Sequence, residues 1–234
     1  MTHRPLPAGF YARETELVAR ELLGAILECT ARGVRCSGRI VETEAYTGEE
    51  DAACHAAAGR TARTEILYGP PGRAYVYFVY GMHWCANAVT RRAGLPSAVL
   101  IRALEPLEGI AAMRRRRGVK RDRELTNGPA KLCEALAITG AHNGVSLRTP
   151  PLRILRGDAV PDGDVEVTGR IGISKAAEEP LRWIVRSSAF VSGRNDARRA
   201  AERDPQRTEE SRTLTKTCRS TSRNCTAAPP QNSW

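Results

Sequence analysis

Apolar positions fall into two rhythms along this chain, and the changes of rhythm divide it into elements. In "TELVARELLG" Leu17, Val18, Leu22 and Leu23 recur at helical spacing, with Thr15 placed to cap the helix and Gly24 to stop it. "AILECTARGVRCSGRIVETEAY" alternates instead, and reads as two strands around a turn at Ala31-Arg32-Gly33. "AYVYFVY" and "WCANAVT" form a second strand pair reversed at "GMH", and "SAVLIRALEPL" continues as a buried strand. "GIAAMRRRRG" predicts a short helix that runs into a basic loop. "NGPAKLCEALAI" predicts another, with Asn127 as its cap, Pro129 in its first turn and Leu132 and Leu136 facing inward. "PLRILRG", "VEVTGRIGI" and "LRWIVR" supply the later strands. Strands outnumber helices and do not alternate with them, so the expected fold class is α+β with a mostly antiparallel sheet.

The pattern stops near Arg194. From Asn195 to Trp234 the chain is polar, rich in Ser, Thr and Arg, and cannot bury a core, so it reads as a disordered basic tail. This leaves a domain at about residues 10–194 behind a short N-terminal arm, residues 1–9. The full length of 234 residues suits one substantial domain, and 41% hydrophobic with 26% charged residues fits a globular protein. No run is long and apolar enough to span a bilayer, and "MTHRPLPAGFYARETE" lacks an apolar signal core. The expectation is therefore an intracellular, cytoplasmic protein that does not use a membrane. Seven cysteines, none in a C-x-x-C pair, point to reduced thiols rather than to a disulfide framework or a zinc site. Net charge is +10. The tail holds eight Lys or Arg against five Asp or Glu, so the body keeps +7, which is compatible with a polyanionic partner.

Aromatic residues change the picture most. They make up only 5% of the chain, yet Tyr75, Tyr77, Phe78, Tyr80 and Trp84 crowd into one stretch. On a regular strand Tyr75, Tyr77 and Val79 share one face, and Val76, Phe78 and Tyr80 the other. Tyr80 stands just before Gly81, where a hairpin tip would expose it. Proteins that bend DNA push such a side chain between base pairs. A core hairpin with one surface tyrosine explains the composition equally well.

Candidate chemistry lies in "RIVETEAYTGEEDAACH". Glu42 and Glu44 are two apart on a strand and share a face, with Tyr46 following. A carboxylate beside a ring can serve as a general base. On this segment alone a solvated glutamate is the simpler reading, as a structural histidine is for His55. Arg102 sits inside an apolar strand, where it either has a buried partner such as Glu44 or faces outward, and its apolar neighbours favour the first. Asn87, on the returning strand, can lie back inside the domain. "RRRRGVKRDR" reads as a solvated loop. Lys131, at the start of the "NGPAK" helix, marks a natural phosphate site, although capping alone would also explain that motif.

Taken together, "FYARETELVARELLG", "GRIVETEAYTGEEDAACH", "YVYFVYGMHWCAN", "LIRALEPLEG", "RELTNGPAKLCEAL" and "PLRWIVR" resemble the alkyladenine (3-methyladenine, N-methylpurine) DNA glycosylases, in order and over nearly all of residues 10–194. The resemblance implies a single α+β domain with a curved, mostly antiparallel sheet, surrounding helices and a protruding β-hairpin. It implies a monofunctional enzyme of base excision repair that binds double-stranded DNA containing damaged purines, flips the base out, and hydrolyses its glycosidic bond. Glu44 matches the base that activates water, and Arg102 the residue that holds water and carboxylate in place. Tyr46, His55 and Tyr77 match the residues that enclose the flipped base, and Asn87 the one that disfavours guanine. Tyr80 matches the residue that fills the vacated gap, with Met82 beside it on the DNA side. Arg60 and Lys131 match phosphate-contacting positions. No metal or other cofactor is implied, and a monomer is expected. A cationic alkylpurine would also stack favourably between electron-rich rings, by roughly 1–2 kcal/mol. The loop "GRTARTEILYGPPG" departs from the family pattern, with Arg63-Thr64 where Arg-Asn is usual and Leu67-Tyr68 where Met-Phe is.

Two other readings compete. A non-catalytic damage binder would not need Glu44 and Arg102 together, and a small-molecule enzyme would not need the exposed Tyr80 hairpin and the Lys131 site.

Overall fold

The computed structural model describes residues 4–193; the expected tail at 195–234 lies outside them. The order of elements is α1 (Ala8–Tyr11), α2 (Thr15–Glu21), β1 (Ile26–Ala31), β2 (Val34–Tyr46), β3 (Ala74–Val79), β4 (His83–Val89), β5 (Ala98–Glu108), α3 (Ile110–Arg117), α4 (Pro129–Leu136), β6 (Arg148–Thr149), β7 (Leu152–Leu155), β8 (Val165–Thr168) and β9 (Arg182–Val185). The strands pair antiparallel in the order β3-β4-β5-β2-β1-β7-β6, and β9 branches from β2 with β8 on its other side. The sheet curls into half a barrel, the α+β architecture that the pattern predicts.

Alternation along the strands gives the sheet two faces. Ala74 and Val76 of β3, Ala86 and Ala88 of β4, and Val99 and Ile101 of β5 join the main core, together with Val18 of α2, Leu22 at its C-terminal end, and Leu132 and Leu136 of α4. Tyr75, Tyr77, Val89 and Ala98 point the other way, into a smaller cluster with Cys54, Leu67 and Tyr46. The candidate site lies on that second face. Residues ahead of position 10 also contribute, since Pro5 bridges Leu155 and Leu6 N–H donates to Ile154 O at 3.0 Å.

The β1–β2 turn falls at Arg32-Gly33, both with positive φ, which suits a two-residue hairpin. At the β3–β4 hairpin, pairing runs from Ala74↔Ala88 to Val79↔His83, but β5 pairs only with Asn87–Val89. The outer half of the hairpin therefore projects past β5. Its reversal needs φ of 54° at Tyr80 and 67° at Gly81. A glycine meets this freely, whereas a tyrosine there is uncommon.

Several local expectations are corrected. Thr15 does not cap α2: it is the first helical residue and fully buried, and its hydroxyl pairs with Thr90 Oγ1 at 2.9 Å. Leu17 is exposed, because the core face of this short helix is Val18 and Ala19. Asn127 does not cap α4, whose N-cap is Gly128; its Oδ1 accepts from Lys131 Nζ at 3.0 Å instead. Strand β8 ends at Thr168, so "GRIGI" is an irregular segment. Phe78, which a core hairpin with one surface tyrosine would bury, is 47% exposed and lies against Trp84, ring centroids 4.7 Å apart.

Candidate active site

Four charged side chains are buried together where β2, β5 and β9 meet. The β2–β5 register shifts on both sides of Glu42, and bulges of this kind re-aim side chains beside functional sites. Glu42 and Glu44 are fully buried, so the solvated-glutamate reading is overturned. Arg102 donates from Nε to Glu42 Oε1 at 3.0 Å and from Nη1 to Glu44 Oε2 at 3.0 Å. Arg182 Nε reaches Glu42 Oε1 at 2.8 Å, and Ser192 donates to Glu42 from N at 2.6 Å and from Oγ at 2.7 Å. Two carboxylates thus face two guanidiniums, the balance that makes buried charge tolerable. Burial works against the Arg102 cation, but the charges of Glu44 and Glu42 outweigh it and raise its pKa.

Glu44 is held from three directions. Besides Arg102, the Ile171 N–H donates to its Oε1 at 2.9 Å and the Tyr46 hydroxyl to its Oε2 at 2.9 Å. Burial, then the charge and hydrogen bond of Glu44, raise the Tyr46 pKa, so this phenol stays protonated and remains the donor. Tyr46 is also the link to a pocket of about 210 Å³, lined by Tyr46, His55, Tyr75, Tyr77, Tyr80 and Asn87 and floored by Gly172 and Ile173. Glu44 and Arg102 do not line this pocket; they connect to it through Tyr46, which does, and through Ile171, next to the lining Gly172.

The pocket walls fix one another. His55, in the 3-10 turn His55–Ala58, meets the Tyr75 hydroxyl at 2.9 Å through Nδ1 and the Tyr77 ring edge-on at 4.4 Å between centroids. Burial and then the charge of Arg63 lower the His55 pKa, which favours the neutral imidazole. Asn87 Nδ2 donates to Tyr75 O at 2.9 Å, which pins its amide against β3. Behind Tyr46, the fully buried Arg170 guanidinium lies 4.9 Å from the ring centroid and is held by Asp51 at 2.6 and 2.9 Å. Arg63 lies 5.4 Å from the Tyr77 centroid.

The remaining expected residues lie outside the pocket wall. Met82 is 67% exposed on the hairpin tip, and Tyr80, at 82% exposed, forms the pocket's rim. Arg60 is on the surface, bidentate to Glu65 at 2.6 and 2.7 Å. Lys131, in the first turn of α4, is half-buried and bonded to Asn127. The basic run is less free than a solvated loop: Arg114 pairs with Asp122, Arg117 with Glu134, and Arg116 donates to Ala135 O at 2.7 Å.

The site also draws in residues that the sequence pattern did not single out. Arg170 and Arg182 stand, like Arg102, within short apolar runs, and the same question about a buried partner would have found them. Tyr75 is buried, and its hydroxyl is what orients His55.

Residues 9–189 match the model of the family described as methylpurine-DNA glycosylase. A Myxococcus xanthus protein named "Putative 3-methyladenine DNA glycosylase" is 51% identical over 190 residues, covering 80% of this chain and 93% of that protein. Proteins of the same name from Salinibacter ruber and Carboxydothermus hydrogenoformans are 49% and 48% identical, covering 80% of this chain and 96% and 98% of their own lengths. The chain belongs to the methylpurine-DNA glycosylase family.

Proposed function

We propose that this chain is a monofunctional DNA glycosylase of base excision repair. It flips alkylated or deaminated purines, among them 3-methyladenine, 7-methylguanine, hypoxanthine and ethenoadenine, out of duplex DNA and hydrolyses the N-glycosidic bond. The observation that carries this reading is Glu44: a fully buried carboxylate, fixed by Arg102, Tyr46 and Ile171 N–H, directly behind an aromatic pocket. A stacked base offers no access to its glycosidic bond, so the base must leave the helix to enter such a pocket.

Glu44 takes a proton from a water at the Tyr46 edge of the pocket. The water oxygen bonds to C1′ as the C1′–N9 electron pair leaves with the purine. Positive charge builds on the sugar, and a fixed carboxylate stabilises it without reorganisation. Arg102 and Ile171 N–H hold the carboxylate's orientation. Tyr46, His55 and Tyr77 enclose the base, and Asn87, with its amide pinned to β3, crowds the 2-amino group of guanine. Tyr80 fills the gap in the stack with Met82 beside it, while Arg60 and Lys131 contact phosphates once they exchange their present partners.

The test is base release from duplexes that each hold one lesion. Release of methylated purines is expected, leaving abasic sites that break only under alkali. Intact duplexes after prolonged incubation, for all lesions, would overturn the assignment.

A further inference from the structure

The two rings expected to stack on a cationic base are each already engaged by a guanidinium: Arg170 on Tyr46 and Arg63 on Tyr77. The two cations differ in their compensation. Arg170 is neutralised in place by Asp51. Arg63 is exposed, and no carboxylate among the described residues forms an ion pair with it. It lines a wider basin of about 610 Å³ that also includes Lys175 and shares Cys54, His55, Gly172 and Ile173 with the base pocket. Its charge therefore stands at the seam between basin and pocket. Its reach is visible in the pocket's titrating groups: it adds to the effect of burial on His55 and opposes that of burial on Tyr75.

We propose that Arg63 is a specificity-determining residue that biases the base pocket away from cationic N-alkylpurines and toward neutral damaged purines. The proposal rests on the glycosylase reading above and deepens it. A ring face that already attracts one cation gives less to a second, and two positive charges sharing a partly dry pocket repel. Arg63 favours the bond-breaking step for both classes of purine, so its discrimination lies in binding and carries from there into kcat/KM. A cationic purine enters charged and becomes neutral as it takes the C1′–N9 electron pair, so repulsion is greatest when it binds. A neutral purine acquires negative charge in that step, and a nearby guanidinium favours its departure.

The test compares duplexes holding 7-methylguanine, which is cationic, and hypoxanthine, which is neutral, by kcat/KM for release and by affinity. Arg63→Gln is expected to raise the 7-methylguanine to hypoxanthine ratio roughly three- to ten-fold. Arg63→Lys, which keeps the charge, should hold the ratio within about two-fold of the wild type. An unchanged ratio in Arg63→Gln overturns the proposal. So does an equal loss on both lesions with a shallower salt dependence, the signature of a lost phosphate contact. A wild type that binds both duplexes but releases neither base overturns the proposed activity instead, and the affinity ratio still decides the role of Arg63.

Discussion

The strand floor beneath the pocket and the hairpin tip beside it are built on opposite terms. On the floor, Glu42, Glu44, Arg102 and Arg182 are all buried, and each is hydrogen-bonded to at least one of the others. At the tip, Tyr80 and Met82 are 82% and 67% exposed, and the backbone turns through positive φ at Tyr80. The floor cannot move without unpairing buried charge, which fits chemistry that needs a fixed carboxylate. The tip has little to lose on contact with another molecule, which fits a side chain that must enter a DNA stack. Damage to the floor should therefore reach rate and stability, and damage to the tip should reach DNA alone.

The largest expected effect is on the rate. Glu44→Gln should lower base release by about 1,000-fold or more, the upper range for removing a general base together with its charge. Lesion-DNA affinity should stay within a few-fold of wild type, because Gln keeps most of the shape behind Tyr46. Single-turnover release and a binding titration on the same duplex measure both. Equal release by variant and wild type would remove Glu44 from the mechanism.

Next comes stability. Arg102→Met leaves Glu44 without its only ion-pair partner among the described residues, whereas Glu42 keeps Arg182. Removing one partner from a buried ion network costs about 3–5 kcal/mol. For a domain of this size, that lowers Tm by roughly 10 °C. A Tm within about 2 °C of wild type would mean that the floor is wetter or looser than its geometry implies.

Much of this division could be read from the sequence, though unevenly. The strand order of elements, the hairpin and its exposed tip followed from alternation and from the position of Gly81. Arg102 was placed because an arginine among apolar neighbours demands a carboxylate, and it found two. Glu44 was harder, since a lone glutamate on a strand has no local signal that separates burial from exposure. Only the later strands, which cover it from β5 and β9, decide the matter. Arg170 and Asp51 are 119 positions apart, and nothing local joins them. The caps failed for two reasons: the Thr15 hydroxyl was claimed by a tertiary partner, Thr90, and the Asn127 carbonyl by Lys131 four residues on.

The smallest of these effects tests the tip. Tyr80→Ala should leave Tm almost unchanged, because a side chain 82% exposed contributes little to the folded state. Lesion affinity and base release should each fall about ten-fold, the scale of one lost ring-on-base stack. Affinity for undamaged duplex, set mainly by phosphate contacts, should move far less. Tyr80→Phe keeps the ring without the hydroxyl and should restore most of the loss. Rescue by Phe would assign the effect to the ring that fills the gap. A Phe variant as weak as Ala would assign it to the hydroxyl, and Tyr80 would then act as a hydrogen-bonding residue at the pocket rim rather than as a wedge.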